Sequence, residues 1–133
     1  MARVIARRRN GYTHDVEIDG GHTVVIDEPA AAGGNDEGPS PTRMVGAGLA
    51  ACTAITMEMY AALKKWPLED VEVEVEISYQ GPVPNCFTVT LRLPKELSEE
   101  QVERLKVIAG KCPVHRALRN ETGVSITDRV ELV

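Results

Sequence analysis

The chain has 133 residues, 43% of them hydrophobic and 26% charged, and a net charge of −5. That length suits one domain, residues 1–133, and the acidic balance argues against nucleic acid as a partner. Arg3, Arg7, Arg8 and Arg9 interrupt any apolar leader, and the longest uncharged run, Met44–Met57, falls short of the roughly 18 apolar residues of a membrane span, so neither a secretory signal nor a membrane partner is expected.

Three short strands are expected at the start: Arg3–Arg9, Tyr12–Ile18 and His22–Asp27. Asn10-Gly11 and Gly20-Gly21 between them are hairpin-turn signals, because both pairs tolerate positive φ. Arg7-Arg8-Arg9 is the one basic cluster and reads as solvated edge-strand charge. Ala30–Ser40, small and glycine-rich, is a loop. Ser40-Pro41 then starts a helix, with Ser at the N-cap and Pro at the first helical position. It runs to about Lys65, where Trp66-Pro67 stops it, a rod of more than roughly 30 Å at about 1.5 Å per residue. Its first half carries Met44, Val45, Ala47, Leu49, Ala50, Ala51 and Ile55, apolar or small all round, so burial on every side is expected. One sheet covers only one of those sides; a second subunit is the natural cover for the other.

From Leu68 to Tyr79, Val71, Val73, Val75 and Ile77 alternate with Glu72, Glu74 and Glu76, the pattern of a half-buried strand. Gly81-Pro82-Val83-Pro84 reads as a wide turn, and Phe87–Leu93 as the returning strand. Ser98-Glu99-Glu100-Gln101 is a capping box opening a second helix, whose inner face is Val102, Leu105 and Ala109. Cys112-Pro113 opens a third helical segment to about Glu121, with Gly123 beyond it. Val124–Leu132 is expected as a last strand. Strands grouped in this way, rather than alternating with helices, argue an α+β fold.

The three cysteines, Cys52, Cys86 and Cys112, are an odd count without dense spacing, which fits a reducing, cytoplasmic compartment. Cys52 lies in the small-residue helix, where it is either packing or a nucleophile. Cys112 is expected at a helix N-cap with Lys111, His115 and Arg116 close by, an electropositive setting that favours thiolate; as a rival, it is a small apolar cap. Cys112-x-x-His115 is at most half of a zinc site, since His14 and His22 stand alone on strands and no second pair exists, so no metal or other cofactor is expected. Cys86, without helix dipole or adjacent base, reads as structural.

Gly33-Gly34, Gly38-Pro39-Ser40-Pro41, the helix stretch Gly48-Leu-Ala-Ala-Cys52-Thr-Ala54 and Lys111-Cys-Pro-Val-His-Arg116 together resemble the OsmC/Ohr family of osmotically induced and organic hydroperoxide resistance proteins. The resemblance covers nearly the whole chain and keeps the order of elements. It implies an OsmC-like fold of antiparallel sheets around a long central helix, in an intertwined homodimer. It further implies that Cys52 attacks an organic hydroperoxide and that Cys112 resolves the sulfenic acid to a disulfide. A dithiol reductant, such as a lipoylated or thioredoxin-like protein, then regenerates the pair. Such chemistry is what a thiolate next to a second thiol performs. Arg9 matches the family arginine that holds the first thiolate, although Arg7 and Arg8 adjoin it and alternation sends Arg8 to the opposite face. Met44, Leu49, Met57 and Met59 either line a pocket for the organic group or fill the core.

In one place the chain departs from the pattern. Thr42 and Arg43 stand where the hydroperoxide reductases carry a glutamate that orients the arginine, and the loop residues Asp36 and Glu37 are the nearest carboxylate substitutes. The departure keeps a second function in view: a non-enzymatic dimer of the same fold that binds a small ligand or senses oxidants.

Overall fold

The computed structural model describes all 133 residues, in the order β1 (Val4–Asn10), β2 (Thr13–Ile18), β3 (His22–Ile26), α1 (Pro41–Lys64), β4 (Glu72–Gln80), β5 (Val83–Arg92), α2 (Glu99–Ala109) and α3 (Pro113–Leu118). The strands form an antiparallel sheet β1-β2-β3 and a separate two-stranded sheet β4-β5. This is the expected α+β architecture with a long helix. The chain divides into two compact units, residues 1–47 with 77–86, and residues 48–76 with 87–133.

In the first unit, β1 and β2 pair around the Asn10-Gly11 turn with His14 opposite Arg8 and Thr13 opposite Asn10, so Arg9 is the bulged residue left without a partner. The loop after β3 is organised by Asp27, which is buried. Its carboxylate accepts hydrogen bonds from the Thr13 hydroxyl at 2.6 Å and from the backbone N–H groups of Glu28 at 2.7 Å and Glu37 at 3.2 Å. The Thr13 bond first, and those backbone bonds after it, hold Asp27 below the usual carboxylate range against the opposing effect of burial. The loop then lies so close to β3 that Gly34 and Gly38 have no room for a Cβ: it would run into the carbonyls of Glu28 and Val25. Gly34 and Gly38 are therefore demanded by backbone packing, and Gly33 by its left-handed φ of 89°.

Helix α1 begins as expected, with the Ser40 hydroxyl accepting from the Arg43 N–H. It ends one residue before the expected Lys65, because Lys65 takes the left-handed conformation (φ 60°) and Trp66 N–H closes back onto Ala61 O at 2.9 Å. The expectation of burial on every side is not met within one chain. Leu49, Thr53, Met57 and Ala61, spaced by four, are buried, whereas Val45, Ile55, Met59 and Leu63 on the other side are 42–79% exposed. One chain supplies cover for one face only. An 18-residue window of α1 has a mean hydropathy of 1.3, so by length and composition it is apolar enough to cross a membrane. Counting only the uncharged run misses this, because isolated charges such as Glu58 interrupt the run without removing the apolar character. The core helix of a soluble protein has the same composition.

In the second unit the core consists of Met57 and Ala61 of α1, Leu68, Leu97, and Leu105 and Ala109 of α2, with Val73 and Leu91 among the half-buried residues packed against it. The outer faces of β4 and β5 are held by Arg92, which reaches Glu72 and Glu74 at 2.6 and 2.5 Å. The turn between these strands is tighter than expected. Gly81 (φ 60°) and Pro82 alone make it, and Val83 and Pro84 lie within β5. A strand of a two-stranded sheet is an edge, so the missing N–H of Pro84 breaks no ladder. The capping box at Ser98 forms in full, with Ser98 N–H to Gln101 at 2.9 Å and Gln101 N–H to Ser98 Oγ at 3.1 Å.

The C-terminal end corrects two expectations. Helix α3 stops at Leu118, not Glu121, where Asn120 turns left-handed (φ 59°). Val124–Leu132 is not a strand: it makes no ladder, and Val124, Ile126, Val130 and Leu132 are all exposed. The alternation is there, but the segment pairs with no strand of either sheet, although both sheets keep free edges.

Leu105 is fully buried at the centre of the second unit's core. Leu105→Ala is therefore expected to cost about 2–5 kcal/mol of folding stability, measured by chemical denaturation.

Candidate active site

Two cysteines meet in the second unit. Cys112 is the N-cap of α3, its Sγ accepting from the His115 N–H at 3.5 Å, with Pro113 at the first helical position. The Lys111–Arg116 motif has this local effect: the proline starts the helix and the cap residue is turned inward. The α2–α3 junction thereby buries Cys112 completely, against α1. There its thiol is within hydrogen-bonding reach of the Cys52 side chain and beside the hydroxyl of Thr53. Cys52 itself is half-buried and so keeps a path to solvent. Sixty residues apart in sequence, the two sulfurs are neighbours.

The protonation of the pair differs from what the helix start suggests. The N-cap position predicts a thiolate at Cys112, yet burial pushes its thiol up, and the neighbouring Cys52 side chain pushes in the same direction. The His115 N–H and Thr53 pull it down, and they lose. A six-residue helix offers one long N–H contact, whereas removal from water penalises the charged form of a fully enclosed sulfur. Cys112 is a thiol, placed to donate its proton toward Cys52.

The remaining expected site residues are spread out. Arg9 belongs to the first unit, where its guanidinium grips Asp15 through Nε (3.1 Å) and Nη2 (2.5 Å). This pairing raises Arg9 and lowers Asp15 from their ordinary pKa values. Arg7 pairs instead with Glu17 at 2.7 Å, and Arg8 donates to the Gly11 carbonyl at 2.8 Å. The carboxylate on Arg9 is thus Asp15; of the two loop carboxylates, Glu37 contributes only a smaller charge effect. Thr42, at the place of the family glutamate, is hydrogen-bonded to Tyr79 Oη at 2.9 Å. Met57 and Leu49 are buried, Met44 is half-buried and Met59 is 70% exposed. Cys86 lies exposed on β5. No three His, Cys, Asp or Glu side chains converge in a way that could hold a metal ion.

Two participants were not picked out from the sequence. Thr53 follows Cys52 in sequence but acts on Cys112, and it looks like any small helix residue. Asp15 was legible from the Asn10-Gly11 turn, because the antiparallel register brings β2 back alongside Arg7 and Arg9.

The sequence and the fold have counterparts. The organic hydroperoxide resistance protein OsmC of Legionella pneumophila is 27% identical, with a TM-score of 0.62 over 88% of this chain and 89% of that one. The organic hydroperoxide resistance protein OhrB of Bacillus subtilis is 28% identical, with a TM-score of 0.61 over 90% of each chain. An OsmC-like protein from Mycoplasma pneumoniae, 18% identical, shares the fold with a TM-score of 0.73 over 100% of this chain and 96% of that one. An uncharacterised protein of Acinetobacter baylyi is 28% identical over 106 residues, 76% of this chain and 73% of its own. A model of the OsmC-like protein family matches residues 33–127, a span that includes the Gly33-Gly34 loop, the Cys52 helix and the Cys112-Pro113 cap. With both cysteines inside that match, the chain belongs to the OsmC-like family.

Proposed function

We propose that the protein reduces organic hydroperoxides with Cys52 and Cys112, and the observation that carries the reading is the contact between a half-buried Cys52 and a fully buried Cys112. The Cys52 thiolate attacks the distal oxygen of R–O–OH. The S–O bond forms as the O–O bond breaks, and the leaving alkoxide takes a proton to become R–OH. Cys52 sulfenic acid then condenses with Cys112: the S–S bond forms and the hydroxyl leaves as water with the Cys112 proton. A dithiol reductant, a lipoylated or thioredoxin-like protein, returns the disulfide to two thiols. The cytoplasm, where thiols persist, is the compartment that supports this cycle. Relatives named organic hydroperoxide resistance proteins support the substrate class.

Asp15 holds the Arg9 guanidinium by two bonds, which fits Arg9 for fixing an anionic sulfur in spite of Thr42 at the helix start. The apolar residues of α1, with Met44 and Met59 accessible and Leu49 and Met57 behind them, are the surface assigned to the organic group. A homodimer supports that surface, because the Val45, Ile55, Met59 and Leu63 face of α1 and the alternating segment 124–132 both lack cover within one chain. The rival reading, a non-enzymatic binder or sensor, draws on the missing helix-start glutamate; it predicts no peroxide turnover.

Cys52→Ser is expected to abolish consumption of cumene hydroperoxide. Cys112→Ser is expected to consume one equivalent and stall, with Cys52 sulfenic acid captured by a dimedone-type probe. Capture on Cys112 in the Cys52→Ser variant at an undiminished rate reverses the two roles, and no consumption by the wild type removes the enzyme.

Arg9→Ala is expected to lower kcat/KM about tenfold or more, and Arg7→Ala or Arg8→Ala far less, because the role carried over from the family, stabilising the thiolate, falls on Arg9 alone. Equal losses in all three mean that the cluster acts only as bulk charge.

In sedimentation the protein is expected to be a dimer at low micromolar concentration, and a Met59→Glu/Leu63→Glu variant to shift toward monomer. A compact, folded wild-type monomer contradicts the assembly.

A further inference from the structure

Beside the thiol pair, the second unit has a half-open cavity of about 210 Å³, lined by Thr53, Val89, Leu91, Ala109, His115 and the exposed cations Lys106 and Arg119, with Gly110. We infer that this cavity is a binding site for a small organic carboxylate. Three observations meet there. The walls from β5 and α2 are apolar: Val89, Leu91 and Ala109. Lys106 and Arg119, like most lysines and arginines of the chain, form no ion pair, and here two such cations stand at one cavity. In a chain of net charge −5 with acidic residues in excess, two cations left uncompensated at one cavity are open to an anion from outside.

The third observation is His115. Its Nδ1 is the one buried side-chain nitrogen or oxygen of the protein without a hydrogen-bond partner. Buried polar atoms are normally paired, and an unpaired one in a native fold calls for a missing partner. The imidazole has two orientations about its terminal torsion, and a turn between them exchanges the ring edges, so an acceptor in the cavity can take its N–H. A carboxylate meets all three features: two oxygens for the Arg119 fork and the Lys106 ammonium, and a short alkyl group against Val89 and Leu91. Inorganic phosphate satisfies the cations and wastes the apolar walls. The volume lies below the roughly 300–1,000 Å³ of drug-sized pockets, which restricts the occupant to a few carbons.

The site also touches the redox centre. Thr53 and His115 line the cavity, and Thr53 and the His115 N–H are the two groups that draw the Cys112 pKa downward. An occupant therefore adjoins the groups that frame Cys112. Binding does not require Cys52 to turn over, so this site and the hydroperoxide reading stand or fall separately.

The test is an amide-resolved NMR titration of the reduced, full-length protein with sodium pentanoate, pentanamide and sodium phosphate. Saturable shifts confined to Thr53, the Val89–Leu91 strand and residues 106–119 are expected with pentanoate, with none from pentanamide and weaker ones from phosphate. The Lys106→Ala/Arg119→Ala double variant, altered only at exposed side chains, is expected to bind pentanoate at least about tenfold more weakly with an otherwise native spectrum. Absence of saturation, equal binding of pentanamide, tighter binding of phosphate than of pentanoate, or unchanged affinity in the double variant each overturns the assignment. The wild-type comparison of pentanoate with pentanamide decides the matter even if the variant misfolds.

Discussion

The site depends on one constraint: Cys112 is enclosed so completely that it keeps its proton. A helix N-terminus and neighbouring cations would ionise an exposed cysteine there. Burial opposes that outcome, and on the proposed reading it divides the labour between the two sulfurs, leaving the protonated Cys112 to wait for a sulfenic acid. The half-buried Cys52 keeps the access that a nucleophile needs. Everything that sets this geometry lies in the second unit: the core of Met57, Ala61, Leu105 and Ala109 holds α2 on α1, and Pro113 fixes where α3 begins.

The first unit is built on a different carboxylate economy. Asp27 collects the loop after β3 through Thr13 and two backbone N–H groups, and Gly34 and Gly38 let that loop lie on the strand. Asp15 takes Arg9, and Thr42 is engaged with Tyr79. The position of the family glutamate has thus been given to a neutral contact, while a carboxylate from β2 grips the arginine. On the proposed reading, the orienting function has moved between elements and the guanidinium has stayed.

Much of this was legible in the sequence because the signals were local. The Asn10-Gly11 turn, the Ser40-Pro41 start, the Ser98/Gln101 box and the Val/Glu alternation of β4 each act within a few residues, and each appears where expected. The errors fall where distant groups decide. The acidity of Cys112 depends on enclosure by α1, which no local pattern encodes. The alternation at 124–132 finds no pairing strand within one chain, and the apolar face of α1 depends on a cover that one chain also lacks. Cys52 and Cys112 stand out by their local settings and take their separate roles from the family resemblance; their proximity is a fact of the fold.

The central claim is that these two sulfurs, and not Cys86, exchange electrons with peroxide. Its most direct test is to add one equivalent of tert-butyl hydroperoxide to the fully reduced protein, block the remaining thiols and map disulfides by peptide mass spectrometry. The account predicts a Cys52–Cys112 bridge within one chain, Cys86 alkylated, and one equivalent of tert-butanol. Three intact thiols with the peroxide unconsumed, or a bridge that includes Cys86, would contradict it.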